Sequence, residues 1–217
     1  LTFLFLRMLV AAAVLWLVAT LTDAPRLTRR DAGWAAVTGL GLHAVYLGGV
    51  FVAADLGLPS GLSALIAGLH PVFTSLGALG FLNERLRPRQ WVGVAMGVGG
   101  VVAVVIDRLD AGVSGVTAGA LVAMAVSVAG MSSGTLLQRA TGGSMPLLRG
   151  TAVQYLSAGV VLGVGSFAVE GFEVESTARF WWSLAWAVGV LSIAAVLIML
   201  YLLQRQAAVK VSSLFFL

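Results

Sequence analysis

Apolar runs of roughly 20 residues, each long enough to cross about 30 Å of hydrocarbon as a helix, recur along the chain with short polar breaks between them. They fall at 1–22, 33–53, 60–82, 90–106, 115–138, 147–169 and 180–203. An eighth begins near 207 and is cut by the end of the chain. The breaks read DAPRLTRRD, ADLGLP, NERLRPRQ, DRLDAG, RATGGSMP, EGFEVESTAR and QRQAAVK. Transmembrane strands would alternate strictly over about ten residues, and no such segments occur. The pattern predicts an all-α, polytopic membrane helix bundle of seven complete spans and a partial eighth.

Composition sharpens this. Of the 217 residues, 59% are hydrophobic and only 10% charged, with a mean hydropathy of +1.01. A soluble domain carries about 25% charged residues, so this chain cannot cover a globular surface in water. A soluble enzyme, a nucleic-acid binder and a disordered scaffold are excluded as classes. The net charge of +4 comes from short, scattered clusters with no basic patch broad enough to neutralise many phosphates. There are no cysteines and only two histidines, neither beside a carboxylate, so no cofactor or metal is expected. Of the 27 glycines, several stand at the i, i+4 spacing: Gly93/Gly97, Gly115/Gly119, Gly130/Gly134 and Gly159/Gly163. Such pairs let membrane helices approach closely.

Charge also orients the chain. Taking alternate loops, one set holds Arg26, Arg29, Arg30, Arg85, Arg87, Arg89, Arg139, Arg149, Arg205 and Lys210, and the other only Arg108 and Arg179. By the positive-inside rule, the loops at 23–31, 83–90, 139–146 and 204–210 are expected in the cytoplasm of a multi-pass cell-membrane protein. Trp34 and Trp91 would then mark the inner interface, Trp181 and Trp182 the outer.

Transporters are often built from inverted repeats. An offset of 150 sets Phe51 against Tyr201, Asp55 against Arg205, Ser63 against Ser213 and Ala64 against Leu214. The spans 33–53 and 180–203 run in opposite directions, as an inverted repeat requires. The stretch 61–105 has a small-residue helix with a central Pro71, an Asn83-Glu84-Arg85 end, and Gln90-Trp91-Val92-Gly93 opening a glycine-rich helix. It resembles the core of the EamA-type drug/metabolite transporter superfamily. FLRMLVAAAVL with its early Arg7, GTLLQRA at 134–140 and YLLQRQAAVKVSSLFFL at 201–217 resemble further helices of that family. The resemblance implies a ten-helix parent of two five-helix inverted repeats, with residues 1–106 in the first repeat and 113–217 in the second. Helix one, the rest of helix nine and helix ten would lie outside this chain, in a parent of roughly 300 residues. The 217 residues alone are then expected not to transport.

An ionisable group inside a membrane is costly and a functional candidate by default, and no Asp, Glu or Lys lies deep in the seven spans. Ser63, Ala67, His70 and Thr74 make one polar or small stripe on the third span. Pro71 should kink that helix near mid-membrane. Gly39, His43 and Tyr46 share a face of the second span. Each histidine is either a cavity group or a hydrogen-bonded packing residue. Arg7, about 9 Å into the first span, either contacts an anionic group or snorkels to the interface, the second being favoured. Ser127, Gln138, Gln154, Tyr155, Ser192 and Tyr201 could also face a cavity, or bond a neighbouring helix.

The function expected is transmembrane transport, in the export direction, of a small metabolite, amino acid or drug. Alternating access would occur around a central cavity containing His43, Tyr46, Ser63, His70, Pro71, Thr74 and Tyr201. The expected partners are the solute, the lipid bilayer and a second copy in a homodimer, with no nucleic acid. An intramembrane enzyme is the rival reading, but Ser63 and His70 lie two turns apart, roughly 10 Å. A non-transporting assembly subunit is the third.

Overall fold

The computed structural model describes residues 1–114, 116–141, 145–172, 174 and 176–202, which are helical with no strand among them. Seven helices are long and apolar enough to cross a membrane: α1 Thr2–Leu21, α2 Arg29–Asp55, α3 Ser60–Phe81, α4 Pro88–Asp110, α5 Ala118–Thr141, α6 Leu147–Val169 and α7 Ala178–Leu202. They coincide with the seven complete spans predicted from hydropathy. The partial eighth, with Arg205, Lys210, Ser213 and Leu214, lies outside the described residues.

Polar breaks end the spans because they supply what helix ends lack. Four amide groups at each helix start have no partner within the helix. Thr28 accepts from the Asp31 amide at 3.1 Å before α2, and Thr177 accepts from the Phe180 amide at 3.2 Å before α7. Thr117 does the same for Ala120 ahead of α5, and the Gln90 side chain accepts from the Arg87 amide at the start of α4. Gly57, Gly112 and Gly171 follow α2, α4 and α6 with φ of 87°, 62° and 62°, the left-handed turn that stops a helix without a Cβ penalty.

The helices pack in the spatial order α7–α1–α6–α2–α5–α3–α4. At the heart of this row α1 lies against α6: Leu4, Met8, Ala11, Leu15 and Ala19 of α1 meet Ala152, Tyr155, Ala158 and Leu162 of α6. Their three- and four-residue spacings put each set on one stripe. Thr2 closes the end where α1 begins, its hydroxyl 2.5 Å from Ser166 and 2.7 Å from Glu170. At the opposite end Arg149 donates to the Ala24 carbonyl at 3.1 Å and lies over Trp16.

Small residues bring α2 onto both neighbours. Gly130 and Gly134 of α5 meet Gly41, Leu42 and Val45, and Gly39 meets the backbone of Gln154 on α6. Gly159 and Gly163 likewise take Met8 and Phe5 of α1. The Gly93/Gly97 pair does not behave this way: Gly93 has nothing within 4 Å, and Gly97 meets only Val72 at 3.7 Å. Gly119 of the Gly115/Gly119 pair meets Leu56 at 3.6 Å.

Three spans depart from a simple α-helix, and one of them differs from expectation. Helix α3 is broken rather than kinked: Ser60–Ala67 and His70–Phe81 are separate segments, joined where the Leu69 amide bonds Ile66 at 3.0 Å. Pro71 lacks an amide and its ring crowds the Ala67 carbonyl, so the break falls before Pro71, at Gly68 and Leu69. Helices α2 and α7 each widen into a π-helical stretch, Leu40–Val45 and Ala187–Ala194.

Candidate functional site

A line of polar side chains crosses the middle of the row. The Arg7 guanidinium donates from Nε to Ser192 Oγ at 3.2 Å. Ser192, fully buried, lies beside the Tyr155 hydroxyl. The Tyr155 ring meets the His43 ring edge-on, with centroids 4.7 Å apart, and His43 lies beside the Gln154 side chain. Four helices thus contribute: Arg7 from α1, His43 from α2, Gln154 and Tyr155 from α6, and Ser192 from α7. His43 and Ser192 both stand in the π-helical stretches. A π turn inserts an extra residue and turns side chains off the α-helical register, which is why such turns gather at functional sites.

The half-buried Arg7 turns its guanidinium to Ser192 of α7, and it also lines a cavity of about 540 Å³ with Phe3, Phe51, Trp182, Ser183, Trp186, Ala187 and Leu191. An adjoining cavity of about 400 Å³ shares Phe3, Phe51 and Ser183 and adds Thr177, Arg179 and Phe180. The Phe3 ring, stacked on Phe51 at 6.3 Å and edge-on to Phe180 at 5.6 Å, holds α1, α2 and α7 around this opening.

The remaining candidates lie elsewhere. His70 Nδ1 is 3.2 Å from Ser132 Oγ of α5 and 3.4 Å from Thr74 Oγ1, a group that ties the second segment of α3 to α5. Ser63 bonds its own turn, donating to the Pro59 carbonyl at 3.3 Å, so the His70 partner is Ser132 and not Ser63. Tyr46 takes part through its carbonyl, which accepts from Ser127 at 2.7 Å. Pro71 and Tyr201 are exposed. Candidates on separate spans thus fall into two groups, one around Arg7 and His43 and one around His70 and Thr74. Sequence reasoning missed Ser132, Ser157 and Thr38. Ser157 donates to the Ala36 and Gln154 carbonyls, each at 3.0 Å. Thr38 is 1% exposed and its hydroxyl has no partner among the described residues. Single Ser and Thr residues in a helix give no signal of which neighbour they meet.

The fold is that of a polytopic helical membrane protein, with polar groups drawn from four helices to its interior and an open cavity beside them. Residues 1–106 match the model of the EamA-like transporter family. That part of the chain is similar to the family, whose members are small-molecule transporters. Comparison with curated proteins and with solved structures returns no match.

Proposed function

We propose that the protein carries a small solute across the cell membrane by alternating access, in the export direction, with its site where α1, α2, α6 and α7 meet. The observation that carries this reading is the polar line from Arg7 through Ser192 and Tyr155 to His43 and Gln154. Burying such groups is costly unless they serve a pathway or a partner.

Two inverted repeats, 1–106 and 113–217, account for its arrangement. Exchanging α1 with α6 and α2 with α7 leaves the order α7–α1–α6–α2 unchanged. The same exchange turns the Arg7–Ser192 contact into the Gln154–His43 contact. The offsets are 147 (154 − 7) and 149 (192 − 43), close to the 150 that aligns Phe51 with Tyr201. It also pairs the two π-helical stretches, which would serve as the bending points of the two halves. The His70–Ser132–Thr74 group lies at the broken helix α3 and would couple its movement to α5.

Uptake and efflux in reconstituted vesicles, with a panel of amino acids, metabolites and amines, test the reading. His43→Leu and Tyr155→Phe should lower transport about tenfold or more while thermal unfolding in detergent shifts little. Transport unchanged in both variants would place the pathway elsewhere. His70→Leu should lower transport less than His43→Leu, since His70 stands outside the polar line.

A further inference from the structure

Arg7 and the aromatic cavity beside it point to a class of solute, resting on the transport reading above. We propose that this cavity selects organic carboxylates: solutes with one negative charge and a flat apolar body, the carboxylate on Arg7 and the mouth of the cavity at Arg179.

The deep end is cationic and uncompensated. A charge within a membrane span is expensive unless paired, yet among the described residues no carboxylate lies within 4.0 Å of Arg7. Its one hydrogen bond, from Nε to Ser192, leaves both terminal nitrogens unbonded among those residues. Guanidinium donors in that fork match a carboxylate. The walls are apolar and flat, supplied by Phe3, Phe51, Trp182 and Trp186.

The outer cavity repeats the sign. It shares Phe3 and Phe51 with the inner one and carries the exposed Arg179. A second like charge at the mouth raises the local concentration of anions. Charge matching then narrows the class. One guanidinium at the deep end balances a single negative charge, whereas a phosphate dianion would remain half-compensated in an apolar site. Among the described residues neither cavity is lined by a carboxylate, so the ammonium of an amine or of a zwitterionic amino acid would find no partner there for its lost hydration. A site of this kind rejects a group it cannot pair.

A matched series tests this: 3-phenylpropionate, its amide, 3-phenylpropylamine and phenylalanine, by equilibrium binding to the protein in lipid nanodiscs, with empty nanodiscs as the blank. The carboxylate should bind about tenfold or more tighter than the other three. Arg7→Gln should bring its affinity down to that of the amide and leave the amide unchanged, while Arg7→Lys keeps part of the preference. Arg179→Gln should weaken carboxylate binding at low salt and lose that effect at 1 M salt, where charges are screened beyond about 3 Å. Equal binding of carboxylate and amide by the unaltered protein overturns the assignment, as does a preference that survives Arg7→Gln. If Arg7→Gln does not fold, the unaltered protein and Arg7→Lys still decide. Vesicle uptake separates the two readings. Charge-selective binding with no uptake of any probe removes transport and leaves the site. Uptake indifferent to charge removes the site and leaves transport.

Discussion

At Gly39 a Cβ would come within 2.4 Å of the Gln154 carbonyl oxygen and 2.5 Å of its Cα, so the contact that positions Gln154 beside His43 requires a bare backbone on α2. The obstacle is main chain and cannot rotate aside. Gly39→Ala should therefore force α2 and α6 apart and cost about 1–3 kcal/mol, the usual range for overpacking. Gly99 has nothing within 4 Å, and Gly99→Ala should be neutral or stabilise by up to about 1 kcal/mol through helix propensity. Thermal unfolding of the two variants in the same detergent makes the comparison, and equal midpoints would show that the close approach is not needed. Arg7 makes a similar point about charge. Its position six residues into an apolar span favours snorkelling, and only the location of Ser192 on α7 shows that the guanidinium turns to a neighbouring helix.

Helix boundaries follow from local chemistry. At the start of α2 the Thr28 hydroxyl both accepts from the Asp31 amide at 3.1 Å and donates to the Asp31 carboxylate at 2.7 Å. Replacing Thr28 by Ala removes both bonds and should cost about 1 kcal/mol. A thermal midpoint identical to that of the parent would show that water serves this end as well. The interruptions inside helices have separate origins. The break in α3 is written in Pro71, and its placement at Gly68 and Leu69 follows from the carbonyl that the ring displaces. The π-helical stretches Leu40–Val45 and Ala187–Ala194 have no such marker; each contains one glycine, Gly41 and Gly189, as do many uninterrupted stretches of this chain.

For the whole molecule, sidedness is the property on which transport direction depends. The ten-to-two division of Arg and Lys between alternate loops leads us to expect Arg87 in the cytoplasm and Gly57 outside. The chain has no cysteines, so single cysteines at the two positions can be labelled without background. In intact cells, an impermeant thiol reagent should modify position 57 and leave 87 untouched until the membrane is opened. The reverse labelling would invert the topology, and with it the direction of transport. The Glu84–Arg139 ion pair, at 2.6 Å, joins the loop after α3 to the last turn of α5. Both partners are about half exposed, so it adds little to stability, but it does place these two helix ends at one end of the bundle.

The number of spans, their lengths and their alternating direction were legible in the sequence, because a bilayer sets one period for apolar runs and every residue in a run reports on it. The caps are equally local, since Thr28, Thr117 and Thr177 act on amides three residues away, but hydropathy does not single them out. His43 and Arg7 could be singled out from cost alone. Which of them meet could not be read, because partners such as Arg7 and Ser192 stand 185 residues apart and lipid-facing and helix-facing positions are equally apolar. The order α7–α1–α6–α2–α5–α3–α4 arises from shape, above all from glycines admitting a neighbour's backbone at some positions, as at Gly39 and Gly134, and not at others, as at Gly93. That choice, made only when the helices pack, draws Arg7, His43, Gln154, Tyr155 and Ser192 into one line and leaves His70 with Ser132 on another.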